Sequence, residues 1–440
     1  MNDRIVMPVW ATGFFIIIMN TTMFNVSIPG IIDDLGITAD LGSWVISSYS
    51  IGYALSTVIY SRLSDTVPLR KLLAIGLTIL GLASVFGLFA GDFRGLLAAR
   101  ILQSLGAGAM AGLGLVMASR YIPADRRGRA ISMISGGSAM AFGLGPIVGG
   151  VVSEYFGWNG LFGVTCLVLA ILPVLLKLLP REEAKPFRFD AVGATLTVAN
   201  ATTLLLAVTQ LSWSWLAASL ASFAIHAWHT RRASEPFIQA KLLRQTDYLR
   251  LLAIGFCIVI LNLGNLFLMP LVLARIFGLS AMKIGLLIAP GAIVSALLTR
   301  FVGRWIDRYG NMRFLLTGHA VLAIVLALFS AEASLSPAVI LCGYLLFSPA
   351  FSATLSSLNN ETTFRLPGSQ IGAGMGLLQM IQFFGGSVSV AVCGLLLEAQ
   401  DKLSPELAFG RVYEFLLAMC LVSSAFLLSY RRSSRKPASA

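Results

Sequence analysis

The chain has 440 residues, 57% of them hydrophobic and only 12% charged, with a mean hydropathy of +0.83 and a net charge of +12. Soluble domains carry roughly 25% charged residues, so this composition excludes a water-soluble globule and requires an all-α protein embedded in a bilayer. The basic excess would indicate nucleic acid in a soluble chain, but here it sits in short loops between apolar runs, where it reports orientation and no nucleic-acid partner.

Apolar runs near the ~20 residues that cross a bilayer lie at 6–29, 41–61, 71–90, 96–119, 129–152, 160–179, 190–211, 213–229, 248–274, 282–302, 313–331, 336–359, 372–396 and 408–430. They predict fourteen transmembrane helices. The first begins within a few residues of Met1 and lacks a small-residue cleavage site, so it reads as a retained span. With both termini cytoplasmic, 26 Lys and Arg fall in inner loops and tails. Five (Arg94, Arg275, Lys283, Lys402, Arg411) fall in outer loops, and Arg100 falls inside a span. That asymmetry sets the predicted topology.

Setting aside the seventh and eighth runs leaves six before and six after. The expected organisation is an N-terminal six-helix bundle (1–180), a linker and inserted two-helix hairpin (181–247), a C-terminal six-helix bundle (248–430) and a cytoplasmic tail (431–440). The five cysteines are scattered singly through apolar segments and read as packing residues, with no metal or other cofactor implied. No HExxH, GxSxG or phosphate-loop pattern stands in a credible setting, so the chain does not read as an enzyme.

A short charged loop occurs twice, between spans 2 and 3 and between spans 10 and 11. The first copy runs from Ser61 to Lys71 and holds Asp65, Arg70 and Lys71; the second runs from Gly303 to Arg313 and holds Gly303, Asp307, Arg308, Gly310 and Arg313. A glycine allows a tight turn, and an aspartate can accept from a helix N-terminus or pair with arginines. Such a contact latches helices reversibly, so both copies are candidate gates. The first has Ser61, Thr66 and Pro68 where the second has Gly303, Arg308 and Gly310, and its latch is expected to be altered.

Arg100 and Gln103 share one face of span 4. An arginine near mid-membrane costs about 2.5–3.5 kcal/mol on insertion scales, so Arg100 either faces the protein interior as a functional charge or snorkels to the nearer interface. Span 5 carries Gly145, Pro146, Gly149 and Gly150, a combination that bends a helix and admits a close neighbour. Polar residues at helical spacing mark a candidate substrate cavity: Thr21 and Asn25, Asn262 and Asn265, Gln379 and Gln382 with Gly386. The same stripes also serve as helix–helix contacts. Tyr49 and Tyr53 on span 2 add amphipathic surface or simply pack.

Taken together, the two loops resemble the signature of the major facilitator superfamily. Arg100-x-x-Gln103 and Gly145-Pro146-x-x-Gly149-Gly150 resemble motifs of its drug:proton antiporters. Fourteen spans and the Asn20 to Pro29 segment are similar to its fourteen-helix branch, which includes Gram-positive-type tetracycline and multidrug exporters. The resemblance implies alternating access, with Asp65 and Asp307 in inner gating latches and Arg100 near the coupling machinery. The departures are specific. Asn20 stands where multidrug members carry an aspartate, Thr21 where tetracycline exporters carry a glutamate, and Gly386 where that branch has a second acid.

With those acids missing, the coupling candidates are Arg100, Gln103, His319 and Glu154, and Asn20 joins the cavity set. The leading expectation is a proton-coupled exporter of a small organic molecule, acting as a monomer in the cytoplasmic membrane. Arg100 and the lack of an acid on span 1 favour neutral, zwitterionic or anionic substrates over lipophilic cations. An uncoupled facilitator or uptake carrier, and a non-transporting sensor or scaffold, are the alternatives.

Overall fold

A computed structural model describes residues 3–64, 67–180, 182, 190–210, 212–232, 240–366 and 371–434. Asp65 lies outside the described residues, and Asp307 is described in its backbone only.

Sixteen α-helices and no strands make up the described residues. In chain order they are α1 (Asp3–Leu35), α2 (Ala39–Leu63), α3 (Leu69–Leu88), α4 (Phe93–Tyr121), α5 (Ala124–Phe156), α6 (Gly160–Cys166), α7 (Val168–Leu178) and α8 (Ala191–Thr209). There follow α9 (Trp213–Arg232), α10 (Ala240–Leu243), α11 (Thr246–Arg275), α12 (Ala281–Tyr309), α13 (Asn311–Glu332), α14 (Pro337–Arg365), α15 (Ile371–Glu398) and α16 (Pro405–Ser434). Every apolar run of the sequence falls on helix. The sixth is divided between α6 and α7, and α10 is an additional short turn.

Among the described residues, ten helical segments are long and apolar enough to cross a bilayer, and Met140–Phe156 and Val192–Val208 are shorter apolar pieces. The helices α2 and α9 belong to neither group. Serines and tyrosines run through α2, while α9 ends in His229, Arg231 and Arg232.

Helix ends follow local chemistry. Asp92 caps α4 by accepting from Gly95 N at 2.8 Å, Asp190 caps α8 through Gly193 N at 2.8 Å, and Ser336 caps α14, whose first residue is Pro337. The α12–α13 junction is a single residue, Gly310 at φ +86°, a conformation that glycine adopts without a Cβ penalty. Thus α12 runs through most of the second charged loop, placing Gly303 and Arg308 on helix.

The helices gather into two compact units, residues 1–189 with 270–296, and residues 190–269 with 297–440. In the first, α1 packs on α5, and α4 packs on α2 and α3. In the second, α13 packs on α14 and α16, and α8 packs on α9. A core of the second unit joins Leu251, Ile254 and Ile258 of α11 to Leu315, Leu358, Leu427 and Tyr430. In lipid, such helices associate through close van der Waals fit and interhelical hydrogen bonds. Both occur at α2–α4, where Ser56 Oγ donates to Ser104 O at 2.7 Å and Gly112 faces the Thr57 carbonyl.

Candidate functional site

Arg100 sits seven residues into α4, about 10 Å from its start, and its exposure is 0%. The side chain therefore does not snorkel to an interface. Its Nη1 donates to Asn20 Oδ1 at 2.5 Å and to Gln103 Oε1 at 3.0 Å, and Nε donates to Val45 O at 3.2 Å. The guanidinium lies 4.0 Å from the ring centre of Phe24 and 4.0 Å from that of Tyr49. Two aromatic faces on α1 and α2 thus supply the negative side of their quadrupoles to a desolvated cation. The Nη2 nitrogen is buried and makes no hydrogen bond, and Arg100 has no carboxylate partner among the described residues.

Neighbouring amides extend the arrangement in two directions. Asn20 Nδ2 donates to Thr165 Oγ1 at 2.9 Å on α6, and Gln103 Nε2 donates to Ser84 Oγ at 2.7 Å on α3. Those hydroxyls donate in turn to Leu161 O and Leu80 O. One polar thread consequently ties α1, α3, α4 and α6 around the arginine. Tyr49 stacks on Tyr53 with ring centres 6.1 Å apart, and both are buried. Asn25 is buried with neither side-chain atom hydrogen-bonded, whereas Thr21 on the same helix is partly exposed. The hydrogen-bond partners of Arg100 are neutral, so among the described residues its charge is not compensated by an acid.

The glycine-proline segment of α5 meets α1 directly. A Cβ on Gly145 would stand 1.8 Å from Thr22 Oγ1, and one on Gly149 would stand 2.7 Å from Met23 Cα. Gly150 approaches Ala281 O and Gly285 approaches Pro146 O in the same unit. Pro146 lies inside a continuous helix. Glu154, exposed at the end of α5, accepts from Met282 N at 3.4 Å near the start of α12.

In the second unit the predicted residues differ in their settings. Asn265 is buried and its Oδ1 accepts from Tyr413 at 3.4 Å, Asn262 is nearly buried, and Gln382 donates to Asn359 Oδ1 at 3.2 Å. Gln379 is exposed. A Cβ on Gly386 would fall 2.3 Å from Leu263 Cδ1, so the position is a helix contact filled by a leucine. His319 is buried in the α13–α16 seam, with Nδ1 2.7 Å from Leu315 O and Nε2 2.8 Å from Ser423 Oγ.

Around the charged loops, Lys71 and Arg313 are exposed, Arg70 is partly buried, and Arg308 lies over the Tyr309 ring. Glutamates outside the motifs make the bonds there. Glu182 accepts from Leu69 N at 2.6 Å, Arg120 Nη1 at 3.2 Å and the Tyr121 hydroxyl. Glu361 accepts from Asn311 Nδ2 at 2.8 Å and Tyr430 at 2.5 Å. Sequence reasoning passed over both, along with Phe24, Ser84 and Thr165. Phe24 lies four residues after Asn20 and shares its helical face, the one signal that could have found it.

The family model of the Major Facilitator Superfamily matches residues 10–390. The chain belongs to that superfamily. It is a multi-pass membrane transporter of all-helical fold, similar at 27% identity to the multidrug resistance protein Stp of Mycobacterium tuberculosis, over 91% of this chain and 77% of the relative. It is also 27% identical to a putative multidrug resistance protein MdtD of Enterobacter sp., over 90% of this chain and 86% of that one. Among solved structures, a POT family transporter in complex with a thioalcohol-conjugated peptide superposes with a TM-score of 0.74 at 12% identity, covering 97% of this chain and 96% of the other. The POT family transporter PepTSo follows at 0.72 and 14%, covering 98% and 99%. These likenesses fix the fold.

Proposed function

We propose that this transporter exports a small anionic or zwitterionic organic molecule from the cytoplasm by alternating access, in exchange for protons. The observation that carries the reading is the fully buried Arg100, whose charge meets amide and carbonyl oxygens and two rings but, among the described residues, no carboxylate. A desolvated, uncompensated cation repels lipophilic cations and attracts a carboxylate or comparable anion. Its orphan Nη2 leaves one donor nitrogen for that group. Asn20, where multidrug members carry an acid, keeps the site cationic. The multidrug-resistance names of Stp and MdtD support outward movement of small organic compounds.

In this reading all fourteen apolar runs cross the cytoplasmic membrane as two six-helix bundles and an inserted hairpin, with both termini inside and a single chain as the working unit. Asp65 and Asp307 serve the inner gates, and the glycine-proline contact of α5 with α1 moves as one piece. The test is efflux from a strain stripped of other pumps. Export of an anionic or zwitterionic dye, with protons moving the opposite way so that the proteoliposome compartment the dye leaves acidifies, supports the reading. Strong export of ethidium with no anion flux would refute it.

A further inference from the structure

Beyond the transported molecule, we propose that a groove between the start of α11 and the end of α16 binds the phosphate headgroup of an anionic phospholipid. The groove encloses about 460 Å³ and is lined by Arg250 of α11 and by Ala425, Leu428, Ser429, Arg432 and Ser433 of α16. A second hollow of about 380 Å³ shares Ser433 and continues to Thr246 and Tyr248 in the first turn of α11.

Charge at the groove is positive. Arg250 pairs with Asp247 at 2.8 Å within its own helix. Arg432 is exposed and has no hydrogen-bond or ion-pair partner among the described residues. Two guanidinium forks from different helices, in a groove also lined by Ser429 and Ser433, suit a phosphate better than a single point charge would. The amino end of the 30-residue α11 adds a favourable dipole at the same mouth.

The apolar side of the groove selects a lipid over a free anion. Leu421, Ala425, Leu428 and Arg432 are spaced by four, three and four residues, so they share one face of α16, and all four are exposed. That stripe extends about 16 Å along the helix from the arginine, which suits an acyl chain running down from its headgroup. The proposal rests on the membrane setting of the chain and not on the direction of transport.

Native mass spectrometry of the purified full chain, with phosphatidylglycerol or phosphatidylcholine added to the detergent, tests it. The wild type should retain phosphatidylglycerol at least fivefold over phosphatidylcholine. Arg432→Gln should weaken that preference, and Arg250→Gln with Arg432→Gln should remove it, with thermal unfolding of each variant confirming an intact fold. Excess inorganic phosphate should leave the bound lipid in place. Equal retention of phosphatidylglycerol by wild type and Arg432→Gln would overturn the proposal. So would displacement by phosphate alone, which would make the groove a free-anion site.

Discussion

Arg100 Nη1 donates to Asn20 Oδ1 across 2.5 Å, between α4 and α1, in a site closed to solvent. The acceptor is an amide, so the bond is charge-assisted without cancelling the charge. The rings of Phe24 and Tyr49 each lie with their centres 4.0 Å from the guanidinium carbon and attract the cation through their quadrupoles. These contacts offset part of the cost of desolvating the cation and leave its charge in place.

Asn20→Asp converts the amide to a carboxylate at ion-pair distance from Arg100. The pair is then internally neutral, and its attraction for an anionic substrate falls. A loss of about 1.4 kcal/mol is a tenfold change, so anion export should drop at least tenfold while ethidium export rises. Unchanged anion efflux in this variant would separate Arg100 from substrate choice.

Arg100→Lys keeps a positive charge but replaces a planar fork with a point donor. One ammonium cannot reproduce the spread of bonds from Nη1 and Nε to Asn20, Gln103 and Val45 O. Leaving a buried acceptor unmet costs about 1–3 kcal/mol. Transport should fall at least tenfold, and Arg100→Ala should abolish it, with both proteins still inserting into the membrane. Wild-type flux in Arg100→Ala, measured in proteoliposomes, would leave the residue a packing role only.

Much of the fold was legible because lipid imposes length and apolarity on every crossing helix, and these show directly in a single sequence. The site was only half legible. Arg100 and Gln103 stood out as polar residues in an apolar run, whereas Phe24 on an apolar helix looks the same whether it faces lipid or a guanidinium. Asn20 read as a missing acid, yet its oxygen is the shortest acceptor that Arg100 has. Glu182 and Glu361 sat among linker and helix-end charges that ordinarily face water. The second loop read as a loop because Gly303 and the charged residues after it broke the apolar run, although a helix with a solvated end tolerates both.

Gly149→Ala should destabilise the first unit. The added methyl would lie 2.7 Å from Met23 Cα, which is backbone and cannot rotate away, so α1 and α5 must separate. Overpacking of this kind costs about 1–3 kcal/mol. Gly303→Ala has no atom within 4 Å of its new Cβ and sits on the helix α12, so it should be neutral or slightly stabilising. Thermal unfolding of the two variants in one detergent gives the comparison, and a Gly149→Ala midpoint equal to wild type would contradict the contact.

His319→Gln tests whether the buried imidazole carries protons. The Leu315 carbonyl can only accept, so Nδ1 holds a hydrogen and donates to it, and neutral Nε2 then accepts from Ser423 Oγ. Protonating Nε2 would oblige the Ser423 hydroxyl to turn around and would place a charge in the α13–α16 seam, away from water. Both nitrogens are therefore occupied, Nδ1 by a bond within α13 and Nε2 by one that crosses to α16. The substitution should lower stability by about 1 kcal/mol through a lost bond, while the pH dependence of transport keeps its midpoint. A flattened pH profile at normal stability would instead make His319 the proton carrier, and the helix seam would have to open during each cycle.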